Sequence, residues 1–453
     1  MKLTKKSDRL GTEKILPLLF KLSVPSIIGM LIQALYNVVD SIYIGRYSKE
    51  ALSALALSFP VQLLLIAIAV GTGLGSSSLI SRLLGSGRTQ EADNAAEHTI
   101  AITIIYGLLF FLLGYFYAPQ LFSLLTKDPQ LIAMGTEYIK IIMLGSIAMF
   151  FPMIANNILR GEGNTLAPMI TMLIGAIINI ILDPFFIFGI GFFPALGVAG
   201  AAYATVLARF ISGIFIAIIL FSDNNQLQLK MKDFKFKAAI IYKIYKVGLP
   251  AMVMQLLASI MILGVNWILS QYHPLSIAAM GIYFRLQSFV FMPVFGLTQG
   301  YMPIIGYNYG HHKPQRMKET IKYGFIVAIV FTSAGFLLFQ FWAKDLILLF
   351  NSDPKLLTIG EEALKKISLA FPIIGPAIIG STTFQALGQG VPSLILSFLR
   401  QIILLLPIMY FLGQNYGLST LWYAFPISET IATITMILWL RVTLKKVFAT
   451  ISN

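Results

Sequence analysis

The sequence predicts an all-α integral membrane protein, with about twelve transmembrane helices in two pseudo-symmetric six-helix lobes. Three observations carry that expectation. Of 453 residues, 57% are hydrophobic and only 11% charged, and the mean hydropathy is +0.81, more apolar than a soluble chain of this size needs to be. Apolar runs of the roughly 20 residues that cross a hydrocarbon layer of about 30 Å recur about twelve times. Patterns of proline and glycine in the first half return about 225 residues later.

In chain order the spans are expected near 15–45, 53–80, 95–118, 136–158, 166–189 and 199–221, then 244–270, 276–306, 320–343, 361–385, 392–412 and 418–441. Several exceed the minimum length, so tilt or extension beyond the bilayer is expected. The most polar linker, "SDNNQLQLKMKDFKFKAAIIYK", follows the sixth span. It sets the predicted organisation as a first lobe over 1–221, a linker over 222–243 and a second lobe over 244–453. Within the repeat, "KLSVPSIIGMLIQ" aligns with "KVGLPAMVMQLLA", placing Pro25 over Pro250, Gly71 over Gly296 and Gly85 over Gly310. Further on, "LRGEGNTLAP" resembles "ALGQGVPSLI", read as Gly161 and Gly163 over Gly388 and Gly390. Six spans per lobe would insert both copies the same way up, as in parallel-repeat transporters.

Orientation follows from Lys and Arg in the short connections, which are retained on the cytoplasmic side. With both termini inside, basic residues divide roughly 21 to 8 in favour of the inner segments. The inner set begins with Lys2, Lys5 and Lys6 and ends with Arg441, Lys445 and Lys446. The net charge of +14 is therefore spread among loops rather than massed as a nucleic-acid-binding block. With no cysteine there is no disulfide framework, thiol nucleophile or cysteine metal site. "VGTGLGSSS" has no following GK[ST] and reads as close helix packing or a kink, so ATP hydrolysis by this chain is not expected. His311 and His312 fall in a basic loop and are expected to be solvated, and His98 and His273 are too scattered to suggest an enzyme.

The first span, "GMLIQALYNVVDSIYIG", carries Asp40 in its middle. Gln33, Tyr36, Asn37 and Asp40 repeat at i, i+3, i+4 and i+7, one face of a helix. An aspartate at the bilayer centre costs about 3 kcal/mol on insertion scales, so this face should border the bundle interior or a wet cavity. In the fifth span, "IGAIINIILDPFFIFG", Asn179 and Asp183 lie one turn apart, and Pro184 withdraws a backbone donor beside them. Thr205 of the sixth span offers a further oxygen. Asp40, Asn179, Asp183 and Thr205 form an oxygen-only set suited to a hard cation such as Na⁺. The same set suits protons, because two carboxyl groups held together away from water can share one. The equivalents of Asp40 and Asp183 in the second half fall near Val265 and Tyr410, neither acidic. Coupling chemistry is thus expected in the first half. Arg400 and Glu429, on consecutive spans, are expected to pair structurally. Gln33, Tyr36, Asn37, Asn157 and Arg285 are candidates for lining a substrate cavity.

Pro25 followed by Asp40 after fourteen residues, the turn "LRGEGNT", the fifth-span "N-x₃-DP" and the sixth-span "GVAGAAYATV" together resemble the multidrug and toxic compound extrusion (MATE) transporters, over nearly the whole chain. The resemblance is to the bacterial and archaeal branch whose first-half aspartates carry the coupling ion. It implies a secondary antiporter of the cell membrane that is not an enzyme and needs no cofactor beyond H⁺ or Na⁺. It would export small amphipathic, often cationic organic compounds by alternating access, with Asp40, Asn179, Asp183 and Thr205 as the ion site. Twelve spans suffice for a monomer in the lipid bilayer, and no nucleic acid partner is expected. The alternative reading is a flippase for lipid-linked precursors, which would need a cationic cavity, with Arg285 and Arg400 as its candidates.

Overall fold

The computed structural model describes residues 8–191, 193–223, 225–230 and 234–452. Lys2, Lys5, Lys6 and Lys232 of the charge tally lie outside these, as does the side chain of Asn37. Every regular element among the described residues is helical. A short α1 (Asp8–Thr12) leads into α2 (Ile15–Tyr47), α3 (Lys49–Gly85), α4 (Thr89–Ser123), α5 (Pro129–Leu144), α6 (Ser146–Gly161), α7 (Leu166–Phe188) and α8 (Gly197–Leu220). The second half runs α9 (Ala238–Leu269), α10 (Pro274–Gly310), α11 (Pro314–Phe341), α12 (Ala343–Leu348), α13 (Pro354–Ser368) and α14 (Phe371–Ala386). It closes with α15 (Gly390–Phe398), a π-helical stretch (Leu399–Leu405), α16 (Leu406–Tyr416), α17 (Leu418–Leu421) and α18 (Ala424–Ser452). Ten helices are long and apolar enough to cross a membrane, and the pairs α5/α6 and α13/α14, bent by 53° and 50°, bring the number to twelve if each pair crosses once.

The two bent pairs start in the same way. Asp128 Oδ1 accepts from the backbone N–H of Gln130 and Leu131, and Asp353 Oδ1 accepts from Lys355 and Leu356. In each case proline takes the first helical position, where its missing N–H leaves no bond unmade. These Asp-Pro starts stand at the same offset as Pro25 and Pro250, a repeat signal carried by the connections rather than by the spans. The left-handed glycines that end α6 and α14 are Gly163 (φ 88°) and Gly388 (φ 80°). The structural register therefore pairs Gly163 with Gly388, and corrects the sequence alignment of Gly161 with Gly388. Two further corrections concern length: α9 begins at Ala238, so Lys243 sits on a helix rather than in a linker, and α3 and α10 run 37 residues each.

The halves meet through α2 against α10 and α3 against α9. Gly71 and Gly75 of α3 lie on the backbone of α9, where a Cβ at Gly71 would stand 2.6 Å from the Gly248 carbonyl and one at Gly75 would collide with that of Ile244. Gly296 and Gly300 of α10 lie on α2 in the same manner, with an added Cβ 2.6 Å from Ile27 Cα and from Ser23 Oγ respectively. Gly71 and Gly296, like Gly75 and Gly300, are equivalent positions of the repeat, so one small-residue device is used twice. The glycines of "VGTGLGSSS" thus serve close packing. These approaches, with Gly85 against Tyr307 and Gly310 against Arg82, fall in the halves of the helices nearer the described termini.

A buried paired-carboxylate site in the first half

Asp40 comes from α2, Asn179 and Asp183 from α7, and Thr205 from α8, and the packing of these three helices brings the four side chains together. The carboxyl groups of Asp40 and Asp183 face each other at hydrogen-bonding range. Asn179 Nδ2 donates to Asp183 Oδ1 at 3.2 Å and to Thr205 Oγ1 at 3.4 Å. Tyr36 adds its hydroxyl beside Thr205. Asp183 is fully buried and Asn179 nearly so, whereas Asp40, Tyr36 and Gln33 are half-buried. Pro184 lies inside α7, which continues to Phe188 and ends at left-handed Gly189. Asp183 is therefore a buried interior residue and not a helix end at the surface.

The hydrogen-bond inventory shows what this arrangement asks for. Asp40 Oδ1, Asp183 Oδ2 and Asn179 Oδ1 are buried with no partner among the described residues. All three are acceptors, and ionised carboxylates have no proton to offer each other. A buried acceptor without a donor costs about 1–3 kcal/mol, and more when charged. A single proton can be shared between the two carboxyl oxygens, and a hard cation can be held by all three. The adjoining crevice, lined by Gln33, Tyr36, Asn156, Asn179, Thr205 and Arg209, has about 20 Å³ free, room for about one water.

Other candidates are placed differently. Asn157 packs on Gly73 of α3 and donates to its own helix at Met153, while its neighbour Asn156 lines the crevice. Arg285 is exposed on α10. Arg400, on the π-helical stretch, donates from Nη1 to Glu429 at 3.2 Å and 3.5 Å, forming the expected ion pair. Arg209, Tyr138 and Gln62 join the neighbourhood of the site without having been expected there. Arg209 stands one helical turn beyond Thr205, and an arginine in an apolar span is signal enough to find it. Tyr138 of α5, beside Gln62 of α3 and close to both aspartates, carries no such signal. His311 is not simply solvated, since its Nδ1 lies 3.1 Å from the Gly85 carbonyl across the two halves.

Comparison with known proteins agrees with this architecture. The MatE family model matches residues 25–185 and again residues 250–411. The chain is 29% identical to a multidrug export protein MepA of Staphylococcus haemolyticus over 410 residues, covering 90% of this chain and 89% of that one. It is also 29% identical over 411 residues to an FAD transporter of Shewanella oneidensis, with 91% of each chain covered. Among solved structures, a multidrug resistance MATE family transporter in an outward-facing conformation superposes with a TM-score of 0.92 at 28% identity, covering 99% of both chains.

Proposed function

The chain belongs to the MatE family of multidrug transporters, and we propose that it is an antiporter expelling small amphipathic organic compounds in exchange for inward H⁺ or Na⁺ bound at Asp40, Asn179, Asp183 and Thr205. As a family member it is a multi-pass membrane transporter and not an enzyme. The observation that carries the coupling proposal is the pair of facing carboxyl groups in which Asp40 Oδ1 and Asp183 Oδ2, with the nearby Asn179 Oδ1, are buried without a partner among the described residues. Binding of one ion removes one of the pair's two negative charges and gives the facing carboxyl oxygens a shared partner; its departure restores the full charge for the next cation. Substrates are often cationic in this reading, and Gln33 and Tyr36, beside the acids, contribute to the lining of their path.

The distribution of Lys and Arg supports a cytoplasmic position for both termini. Near that end the backbones of the two halves touch at Gly71, Gly75, Gly296 and Gly300. The protein works as a monomer. The test is uptake of a fluorescent organic cation into inside-out vesicles under a pH gradient and, separately, a Na⁺ gradient. Uptake that follows one gradient and disappears in Asp40→Asn identifies the ion; uptake in the variant that still follows the gradient defeats the assignment. The FAD transporter relative and the exposed Arg285 favour a second reading in which the cargo is anionic, such as a dinucleotide or a lipid-linked phosphate. That reading predicts transport of such compounds with no uptake of the cationic dye.

A further inference from the structure

At the end of the molecule that holds the described termini, a cavity of about 520 Å³ lies between the two halves. Its walls carry Arg82 and Arg88 from the first half and Lys243, His312 and Lys446 from the second, and no carboxylate among the described residues. Arg88 is paired outward with Glu91. The others have no acidic partner among the described residues. Arg82 donates from Nε to the Ser78 carbonyl at 3.0 Å, and its guanidinium lies against the left-handed turn at Gly388, where a side chain would collide with it. Its remaining N–H groups and the ammonium groups of Lys243 and Lys446 find no acceptor among the described residues.

A second feature singles out the same place. His312 is the one non-glycine residue with positive φ among the described residues, at 55°. Its counterpart in the first copy of the repeat, in the matching turn after α3, is Gly87 at φ 74°. A glycine adopts this conformation freely and a residue with a Cβ resists it. A histidine held there, with its side chain on a cationic cavity, is the kind of backbone outlier from which a binding role is inferred.

We propose that this cavity is an anion site that takes a phosphate group, carried either by an anionic phospholipid or by a soluble phosphorylated compound. The Arg82 fork and the two lysines supply charge-assisted donors to phosphate oxygens, and the His312 ring supplies one more. The volume accommodates a phosphate together with part of the group that bears it. The walls come from both halves, so an occupant bridges them. On the transport reading above, that bridge favours the state closed at this end, because a ligand shifts an equilibrium toward the state it binds better. The site itself stands without that reading.

The experiment is thermal unfolding of the purified full-length protein with inorganic phosphate, with ATP, and in mixed micelles of phosphatidylglycerol against phosphatidylcholine. It is run on wild type, Lys243→Gln/Lys446→Gln and His312→Gly. Wild type should gain about 3 °C in at least one condition, and the double variant should keep less than a third of that gain. His312→Gly should lose part of the gain while its unliganded midpoint stays level or rises. A gain confined to phosphatidylglycerol identifies a lipid headgroup, and one confined to phosphate or ATP a soluble ligand. No gain in any condition, or an equal gain in wild type and the double variant, overturns the proposal.

Discussion

Replacing Asp40 by asparagine removes one of two facing carboxyl groups while leaving the space they occupy filled. The new amide can donate to Asp183 Oδ2, which has no partner among the described residues of the native protein. That exchange should alter folding stability by no more than about 1.5 kcal/mol, the usual net range of one hydrogen bond. The transport consequence is far larger. A proton entering down about 100 mV and one pH unit releases roughly 2.3 plus 1.4 kcal/mol, or about 3.7. One-for-one exchange against a neutral compound then supports a gradient of about 500-fold. Against a monovalent cation the electrical part cancels and only about tenfold remains. In Asp40→Asn both ratios should collapse to about one, with a melting midpoint within a few degrees of wild type. The measurement is steady-state accumulation of one neutral and one cationic dye in inside-out vesicles at fixed gradients. Accumulation in the variant at the wild-type ratio would refute the reasoning, and loss of folded protein would show that Asp40 is structural.

Glu429→Ala leaves Arg400 without its partner and should cost about 2–3 kcal/mol, at the lower end for a broken buried pair because a quarter of the Arg400 side chain stays exposed; Arg400→Met/Glu429→Leu should recover most of it, as read by thermal unfolding. Gly75→Val sets a branched side chain against the Ile244 carbonyl and Gly300→Val sets one against Ser23, so each should cost about 1–3 kcal/mol or more. An unchanged midpoint in either would mean that the glycine contact is not the tight seam between halves. Asp128→Ala and Asp353→Ala each remove the oxygen that starts a bent pair and should each lose about 1 kcal/mol. Unequal losses would count against the two turns being equivalent.

Much of the fold was legible because membrane spans announce themselves by composition, and their number was read correctly from apolar length alone. The bends in the fourth and tenth spans were not. A helix break at Gly145, or between Ser368 and Phe371, leaves the run apolar and changes only its direction. The site was legible to the extent that charge is conspicuous in lipid. Asp40, Asp183, Arg400 and Glu429 stood out as isolated ionisable residues in apolar runs, and Asn179 was found by its one-turn spacing from Asp183. Asn156 and Asn157 were indistinguishable in sequence, since adjacent residues differ by about 100° around a helix and only packing decides which one meets the crevice. Tyr138 and Gln62 meet from helices that are distant in sequence, and no local pattern encodes such a meeting.

The shared register of the two halves separates two kinds of constraint. What repeats is backbone: the glycine contacts between halves, the Asp-Pro helix starts and the left-handed turns at Gly163 and Gly388. These answer requirements of helix geometry, which both halves meet in the same place and so meet with the same residue. What does not repeat is charge. Asp40 is matched by Val265, fully buried, and Asp183 falls opposite the apolar segment around Met409. The second half instead carries Arg400 on a π-helical stretch, satisfied by Glu429. One half thus holds a buried charge pair that is balanced from within, and the other holds a carboxyl pair with oxygens that have no partner among the described residues. On the proposed antiport reading that asymmetry is needed at one site only, and a helical scaffold of near-equal halves accommodates it without disturbing the packing that the duplicated glycines maintain.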